Sequence, residues 1–292
     1  MFYFFSLFVF PITSEAWNAL GHMVIANIAY QKLNETPHNK IEMLNRYFQD
    51  EYPEMISFLQ MSYWPDTLHA QKIETFTHWH YIDIPFSEDG TPLKNITDTD
   101  NAAWAVNTME PILQNKYTNP YEAARFLAFF THIVGDMHQP LHNVSRLSNA
   151  YPDGDRGGNL FFIRFNNARI NLHQLWDRGL GEFDSEINNE NIAMLSKKIT
   201  ERYPENYFGD RVNDLDPQNW AKEGMENARK YVYVTPENQI PNPDYIEAGR
   251  QITEQEVALA GYRLAKLLNQ MLTMDRNRKS RYFKKHKKYY RG

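Results

Sequence analysis

The 292-residue chain contains no cysteine. Disulfide staples and thiolate metal sites are thereby excluded, so any bound metal must be held by nitrogen and oxygen donors. Long apolar runs are missing as well. The opening MFYFFSLFVFPI is twelve residues, short of the ~20 that a membrane-spanning helix needs. It is followed by polar Thr13-Ser14-Glu15 and then Ala16. Ser14-x-Ala16 fits a small-residue cleavage site, so residues 1–16 are expected to be a signal peptide whose removal leaves Trp17 as the N-terminus. Lys and Arg are absent from this leader, which leaves the α-amino group as its positive charge. The expectation is a secreted or periplasmic protein with no stable membrane anchor. Repeats, low-complexity segments and linkers are also lacking before the C-terminal tail, which favours one domain over residues 17–275.

What is present is a core-forming composition, 42% apolar, and an uneven net charge of −5. From Arg276 onward the chain reads RNRKSRYFKKHKKYYRG, with nine basic residues and no acid, so the body is more acidic than the total suggests. The tail, residues 276–292, reads either as a solvated end or as a basic arm whose Tyr282, Phe283, Tyr289 and Tyr290 touch polyanions or anionic membrane. Helical spacing dominates the body. Ala19, Met23, Ile25/Ala26 and Ala29/Tyr30 suit one helix and Tyr121 to Met137 another. Thr253-x-x-Glu256 looks like a capping box opening a helix that carries Val257, Ala260, Leu264, Leu267/Leu268 and Met271 on one face. Strand signals are confined to HWHYIDIP (78–85) and NLFFIRFNNARINL (159–172), the latter a hairpin turning at Asn166-Asn167. The expected fold is mainly α, a single compact helical domain with a small β-hairpin.

Chemistry concentrates in HIVGDMHQPLH, residues 132–142. His132 and Asp136 lie four apart and share a helix face. Pro140 disfavours helix at Gln139, and the resulting kink can turn His142 back toward that face. Glycine at 135 costs about 1 kcal/mol relative to alanine in a helix, which suggests close packing there. The same spacing recurs at His173 and Asp177 in NLHQLWD. Either pair alone is more often a surface ion pair or a satisfied core histidine. Two pairs, with a third histidine at a proline break, favour a metal site. Asp66 in YWPD, His78, His80 and Asp83 in HWHYIDIP, and His22 in WNALGH extend the constellation. Cleavage before Trp17 would add an α-amino group of pKa about 7.7–8, which can lose its proton to a metal.

In the order WNALGH, YWPD, HWHYIDIP, THIVGDMHQPLH, DRGGNL and NLHQLWD, the chain resembles the zinc-dependent single-strand nucleases of fungi, plants and bacteria, within the phospholipase C/nuclease superfamily. The resemblance implies a helical fold with three Zn²⁺ at the bottom of a cleft. One zinc would take Asp66, His80, His132 and Asp136. A second would take the Trp17 amine and carbonyl, His22 and bridging Asp136, and a third His142, His173 and Asp177. It also implies an endonuclease that hydrolyses single-stranded DNA and RNA to 5′-phosphorylated products through metal-activated water, with 3′-mononucleotides as further candidate substrates. Open nitrogen–oxygen shells suit that chemistry, and three Zn²⁺ against three carboxylates leave the site positive inside an acidic body.

For substrate, the resemblance implies Tyr81 as the base-stacking ring, Asp83 as its hydrogen-bonding partner and Asn159 near the same pocket. One departure stands out. Many relatives carry Lys or Arg three residues after the Asp66 position, where this chain has His69. A histidine there predicts a more acidic optimum or a weaker dependence on that residue. His78 and His138 flank ligand positions without matching them, which suggests supporting roles, and His38 and His286 read as surface residues. A monomer is expected. Two alternatives remain. A zinc phospholipase C would usually end its last pair in Glu where this chain has Asp177, and a secreted non-catalytic binder would use the tail as its contact and a closed metal site. Sequons stand at Asn34, Asn95 and Asn143.

Overall fold

The structure, a computed structural model, describes residues 17–273. The expected leader, the basic tail and His286 lie outside the described residues. Ten α-helices, α1 to α10, and four short strands, β1 to β4, are the main regular elements among them, joined in places by short 3₁₀ and π turns. In chain order these are α1 (Ala19–Tyr30), α2 (Glu35–Glu51), α3 (Phe58–Met61), α4 (Trp64–Ala70), β1 (Ile84–Ser87), α5 (Ala102–Gln114) and α6 (Pro120–Asp136). Then come β2 (Val144–Leu147), β3 (Phe162–Phe165), β4 (Ala168–Asn171), α7 (Leu172–Asp177), α8 (Asn189–Arg202), α9 (Pro217–Asn227) and α10 (Pro243–Thr273). No helix among them is long and apolar enough to cross a membrane.

Asparagine starts many of these helices. Asn18, Asn101, Asn119, Asn171 and Asn188 each accept a backbone N–H from the first turn that follows. That satisfies donors which a helix cannot pair internally. α1 is buried on almost every side because α10, α8, α3 and α6 all pack on it. Its close packing on α10 at Ile28 depends on Gly261, where a Cβ would stand 2.5 Å from Ile28 Cγ2. A second apolar cluster, with Phe86, Leu141, Phe161, Leu172, Trp176 and Tyr233, sits under the strands and α7. α6 belongs to the main core, whereas Leu141 and Leu172, each next to a histidine of interest, belong to the second.

The hairpin forms as expected. β3 and β4 pair antiparallel around Asn166 and Asn167, whose φ angles of 49° and 62° suit a two-residue turn that needs positive φ at both positions. Two expectations change. The stretch 78–85 is not one strand: Thr77–His80 forms a 3₁₀ turn, and the strand begins only at Ile84, pairing in parallel with β2. Asp83, at φ 59°, breaks the extended run, and Ile82 N–H donates to His142 O at 2.8 Å, so this segment is tied to the proline turn. Thr253-x-x-Glu256 does not open a helix either. α10 starts ten residues earlier at Pro243, where Asn242 Oδ1 accepts from Tyr245 N–H at 2.7 Å. Thr253 and Glu256 are buried in mid-helix, so tertiary packing overrides the local signal.

Gly261→Ala should destabilise the protein. The helix-propensity gain of about 1 kcal/mol is outweighed by an overpacking cost of about 1–3 kcal/mol, because the methyl meets the β-branch of Ile28. A thermal melt should show a fall of a few degrees, and a rise would refute this account of the α1–α10 contact.

Candidate metal centre

Eight side chains from six segments converge: His22 on α1, Asp66 on α4, His80 at the end of its 3₁₀ turn, His132 and Asp136 on α6, His142 after Pro140, and His173 and Asp177 on α7. They form three groups of potential ligand atoms, each mutually within 4.8 Å: His22–His132–Asp136, Asp66–His80–His132 and His142–His173–Asp177. His132 is shared by the first two, and Asp136 of the first also reaches His80 of the second. The Asp136 carboxylate lies 3.3 Å from His22 Nε2, 3.1 Å from His80 Nδ1 and 3.2 Å from His132 Nε2. Asp66 Oδ1 reaches His132 Nε2 at 3.2 Å and His80 Nδ1 at 3.8 Å. The His22 and His132 rings stack with centroids 4.0 Å apart. Gly135 makes room for them, since a Cβ there would lie 3.0 Å from His22 Nδ1.

The third group tests whether this arrangement fits a metal. His142 Nδ1 lies 2.6 Å from His80 O, and His173 Nδ1 lies 2.7 Å from Gly157 O. A carbonyl can only accept, so both Nδ1 atoms carry the proton and both Nε2 atoms present a lone pair. Those two Nε2 atoms face each other at 3.0 Å. Burial holds both imidazoles below their ordinary pKa, His173 down to about 3, so a bridging proton is disfavoured. Two lone pairs at that distance repel unless a cation lies between them. His132 follows the same pattern, with Nδ1 2.8 Å from Ser62 O and Nε2 facing inward. The buried atoms His22 Nε2, Asp66 Oδ2 and Asp136 Oδ1 have no hydrogen-bond partner. Such orphaned donor atoms are the natural coordination shell of a cation.

Electrostatics agree. Burial opposes charge on Asp66 and Asp136, yet the neighbouring imidazoles, His132 above all, hold both carboxyls below the usual range. Burial also opposes charge on His132, but Asp136 and then Asp66 outweigh it and raise its pKa. His22 is pushed down by burial and by His132. The cluster therefore favours positive charge at its centre while leaving most of its nitrogens deprotonated, the state in which they can bind metal.

Trp17 is fully buried beside these groups. Its indole N–H donates to Gly135 O at 3.1 Å, and Asn18 N–H donates to Asp177 O at 2.9 Å, which seats the start of the described chain between α6 and α7. Tyr81 and Asp83 are partly buried and follow His80 directly in the chain. Burial, then Asp155 and Asp98, push the Asp83 carboxyl up to about 7, while burial and Asp83 push the Tyr81 phenol up to about 12. Asn159 Nδ2 donates to Arg156 O at 2.9 Å, within the loop whose Gly157 holds His173. His69 is partly buried on α4, one turn beyond Asp66 and outside the three groups.

His138 supports the fold. It donates to Val134 O at 2.8 Å and accepts from the buried Arg263 at 3.0 Å, and burial with Arg263 keeps it neutral. His78 stands outside the groups, 3.7 Å from Asp98 and 3.5 Å from Asp100. The sequon at Asn143 is fully buried, with its amide given to Met137 O and Gln139 O, so it is closed to glycosylation. Sequence reasoning passed over Gln139, whose Nε2 donates to Asp177 Oδ1 at 2.7 Å while its Oε1 accepts from Leu141 N–H at 2.6 Å. Its place before Pro140 was the available signal. It also passed over Asp155, a buried carboxylate that accepts from Arg146 N–H and Tyr233 O–H and whose Oδ2 is unpartnered.

Comparison with known proteins matches this arrangement to one family. The model described as S1/P1 Nuclease matches residues 17–273. Endonuclease 1 of Arabidopsis thaliana is 25% identical over 283 residues, covering 89% of this chain and 88% of the relative. Nuclease S1 of Aspergillus oryzae is 24% identical, covering 87% of this chain and 91% of its own. Nuclease P1 of Penicillium citrinum is 23% identical, covering 87% and 97%. Among solved structures, the alpha toxin from Clostridium absonum aligns at a TM-score of 0.44 and 16% identity, covering 87% of this chain and 65% of the toxin, an overlap too loose to bear on function. With the family model matched from Trp17 to the end of α10, the chain belongs to the S1/P1 nuclease family.

Proposed function

We propose that the protein is a three-zinc nuclease that cleaves single-stranded DNA and RNA to 5′-phosphorylated products. The observation that carries this reading is the pair of lone-pair nitrogens, His142 Nε2 and His173 Nε2, facing each other at 3.0 Å beside two further groups of buried donors. Asp66, His80, His132 and Asp136 would hold one zinc, the Trp17 main chain with His22 and Asp136 a second, and His142, His173 and Asp177 a third. When bound, zinc supplies Lewis-acid stabilisation of phosphate charge and lowers the pKa of water toward neutrality.

The chain's own residues do the rest. The backbone carbonyls of Ser62, His80 and Gly157 fix the imidazole tautomers, and Gln139 aims the Asp177 carboxylate. Tyr81 offers a ring face on which an unpaired base can stack, worth about 1–3 kcal/mol and denied to a base within a duplex. Asp83, with its pKa near 7, can donate to a base edge below neutrality and accept above it. Asn159 borders the same pocket. His69 shares the α4 face of Asp66 and adds positive charge beside phosphate when protonated. In this reading residues 1–16 are a cleaved leader, export exposes the Trp17 amine, residues 276–292 remain a basic tail, and the enzyme is a monomer. Tyr81 and Asp83 favour nuclease over phospholipase.

Chelation should abolish hydrolysis of single-stranded DNA and lower the melting temperature, and zinc should restore both. Unchanged activity and melting after verified metal removal would contradict the proposal. Gln139→Ala should weaken zinc retention or activity about 10–100-fold, as loss of a group that orients a ligand does. Zinc titration of the metal-free variant measures it, and parental affinity with parental turnover excludes that role. Asp83 has a folded pKa of about 7 against about 3.9 unfolded, so the folded state binds its proton more tightly. Ionising it costs stability progressively from pH 4 to 7, and the cost is complete above 7. Asp83→Asn removes that cost, so it should raise the melting temperature at pH 8 relative to the parent but not at pH 4. Equal shifts at both pH values would show that the carboxyl is not perturbed.

A further inference from the structure

The β3–β4 hairpin has two faces of different character. Phe161, Ile163 and Leu172 point into the second apolar cluster, and the strand period of two therefore places Phe162, Arg164, Arg169 and Asn171 on the outer face. Arg164 and Arg169 are register partners, and both are exposed. Like charges directly opposite each other on two strands repel and weaken the pairing. Arg169 is nonetheless held in place, its guanidinium carbon 3.6 Å from the centroid of the Phe162 ring. Among the described residues no carboxylate pairs with either arginine. From Arg156 to Trp176 the chain carries three arginines and neither Asp, Glu nor Lys. In a body of net negative charge this is a concentrated cationic face without a protein counter-charge.

That face is continuous with the site. Asn171 Nδ2 donates to Asn159 Oδ1 at 3.3 Å, and Asn171 Oδ1 accepts from Gln174 N–H at 2.7 Å where α7 begins, the helix of His173 and Asp177. Asn159 Nδ2 donates in turn to Arg156 O at 2.9 Å. Arg156 is exposed, and its charge pulls the Tyr81 and Asp83 pKa values down against the burial that raises them, which puts it at the rim of their pocket. It is held there at φ 55°, a left-handed conformation that is costly for arginine. We propose, building on the nuclease reading, that Arg156 and the Arg164–Arg169 pair form a phosphate track for the part of a single strand that lies 5′ to the base at Tyr81. Charge and continuity name the occupant, since the positive face starts at the pocket rim and leads away from the metal centre along the hairpin. A 3′-mononucleotide can be cut only if the held base belongs to the nucleoside whose 3′-oxygen leaves, so the strand running on from Tyr81 is the 5′ portion. Planar guanidinium forks suit phosphate oxygens. Such contacts read no base, so strand length and salt, and not sequence, set what they contribute.

Strands with one cleavable bond isolate the track, every other linkage carrying methylene in place of the 3′-oxygen. With zinc bound, two nucleotides added on the 5′ side of a cleavable dinucleotide should raise kcat/KM about tenfold at low salt, as two or three exposed ion pairs supply. An Arg164→Gln, Arg169→Gln double variant should lose most of that gain and keep the parent's response to two nucleotides added on the 3′ side. Arg164→Lys with Arg169→Lys, which retains both charges, should recover much of it. Melting should show the glutamine variant at least as stable as the parent at low salt, because a like-charge pair has gone. A readout free of turnover is binding of a strand that is methylene-linked throughout. Its plot of log Kd against log salt should lose a slope of about 1.4 in the glutamine variant, two contacts at about 0.7 each. An unchanged slope, or equal losses for 5′- and 3′-extended strands, overturns the track. So does a glutamine variant that loses affinity for phosphatidylglycerol vesicles while binding the strand as the parent does. Failure of the zinc-loaded parent to cleave any of these strands overturns the nuclease reading instead, and the binding slope still decides whether the hairpin holds phosphates.

Discussion

The constraint on which the structure turns is the presence of buried nitrogen and oxygen atoms that cannot satisfy one another. His142 and His173 give their N–H groups to backbone carbonyls and point lone pairs at each other across 3.0 Å, and Asp136 gathers three imidazoles around one carboxylate. In a polar solvent water would separate such groups. Here burial keeps water out, so protein–protein bonds cannot balance the site and a cation can. A cation bound there would couple folding to metal binding, through nitrogen and oxygen donors in a chain that has no disulfide or thiolate to call on.

The architecture around the site supplies rigidity at each approach. α6 delivers His132 and Asp136 from within the main core and ends where Pro140 begins the turn that carries His142. α7 presents His173 and Asp177 from the second core, under the hairpin. Glycines sit where backbone must come close. Gly135 leaves room for the His22 ring, and Gly157, at φ 59°, lets its loop pack against Leu141 O while its own carbonyl fixes His173. Behind His138, fully buried Arg263 bonds Glu223 and Arg211 O, tying α10 to α9 and to the end of α6. Precision at the metal centre thus comes from short elements anchored in two separate apolar clusters.

How much of this was legible in sequence follows from the range of each signal. His132 with Asp136, and His173 with Asp177, are i,i+4 pairs on single helices, and the Asn166-Asn167 hairpin is a two-residue turn. All three depend on local geometry and were readable. HWHYIDIP misled because its alternation serves a 3₁₀ turn and a left-handed Asp83, next to Ile82 whose N–H is held by His142 O, a partner about sixty residues away. The Thr253–Glu256 capping pattern misled because packing of Tyr245 and Ile252 into the second core extends the helix upstream of it. Gln139 escaped notice because its place before Pro140 marks the end of a helix, while its carboxylate partner Asp177 is brought to it only by folding.

By itself, the sequence determined the chemistry available: imidazoles and carboxylates without thiols, helices with asparagine caps, a proline that ends α6, and the ordered motifs that carry the family resemblance. Tertiary structure decided which donors share a centre, because His22, Asp66 and His80 come from separate segments and meet Asp136 only after folding. It also decided tautomers, through carbonyls of Ser62, His80 and Gly157, and opened a cavity between α1 and α4. The division is physical. Residue type and short spacing set what a side chain can do, whereas dielectric, distance and hydrogen-bond direction exist only once remote segments have packed together.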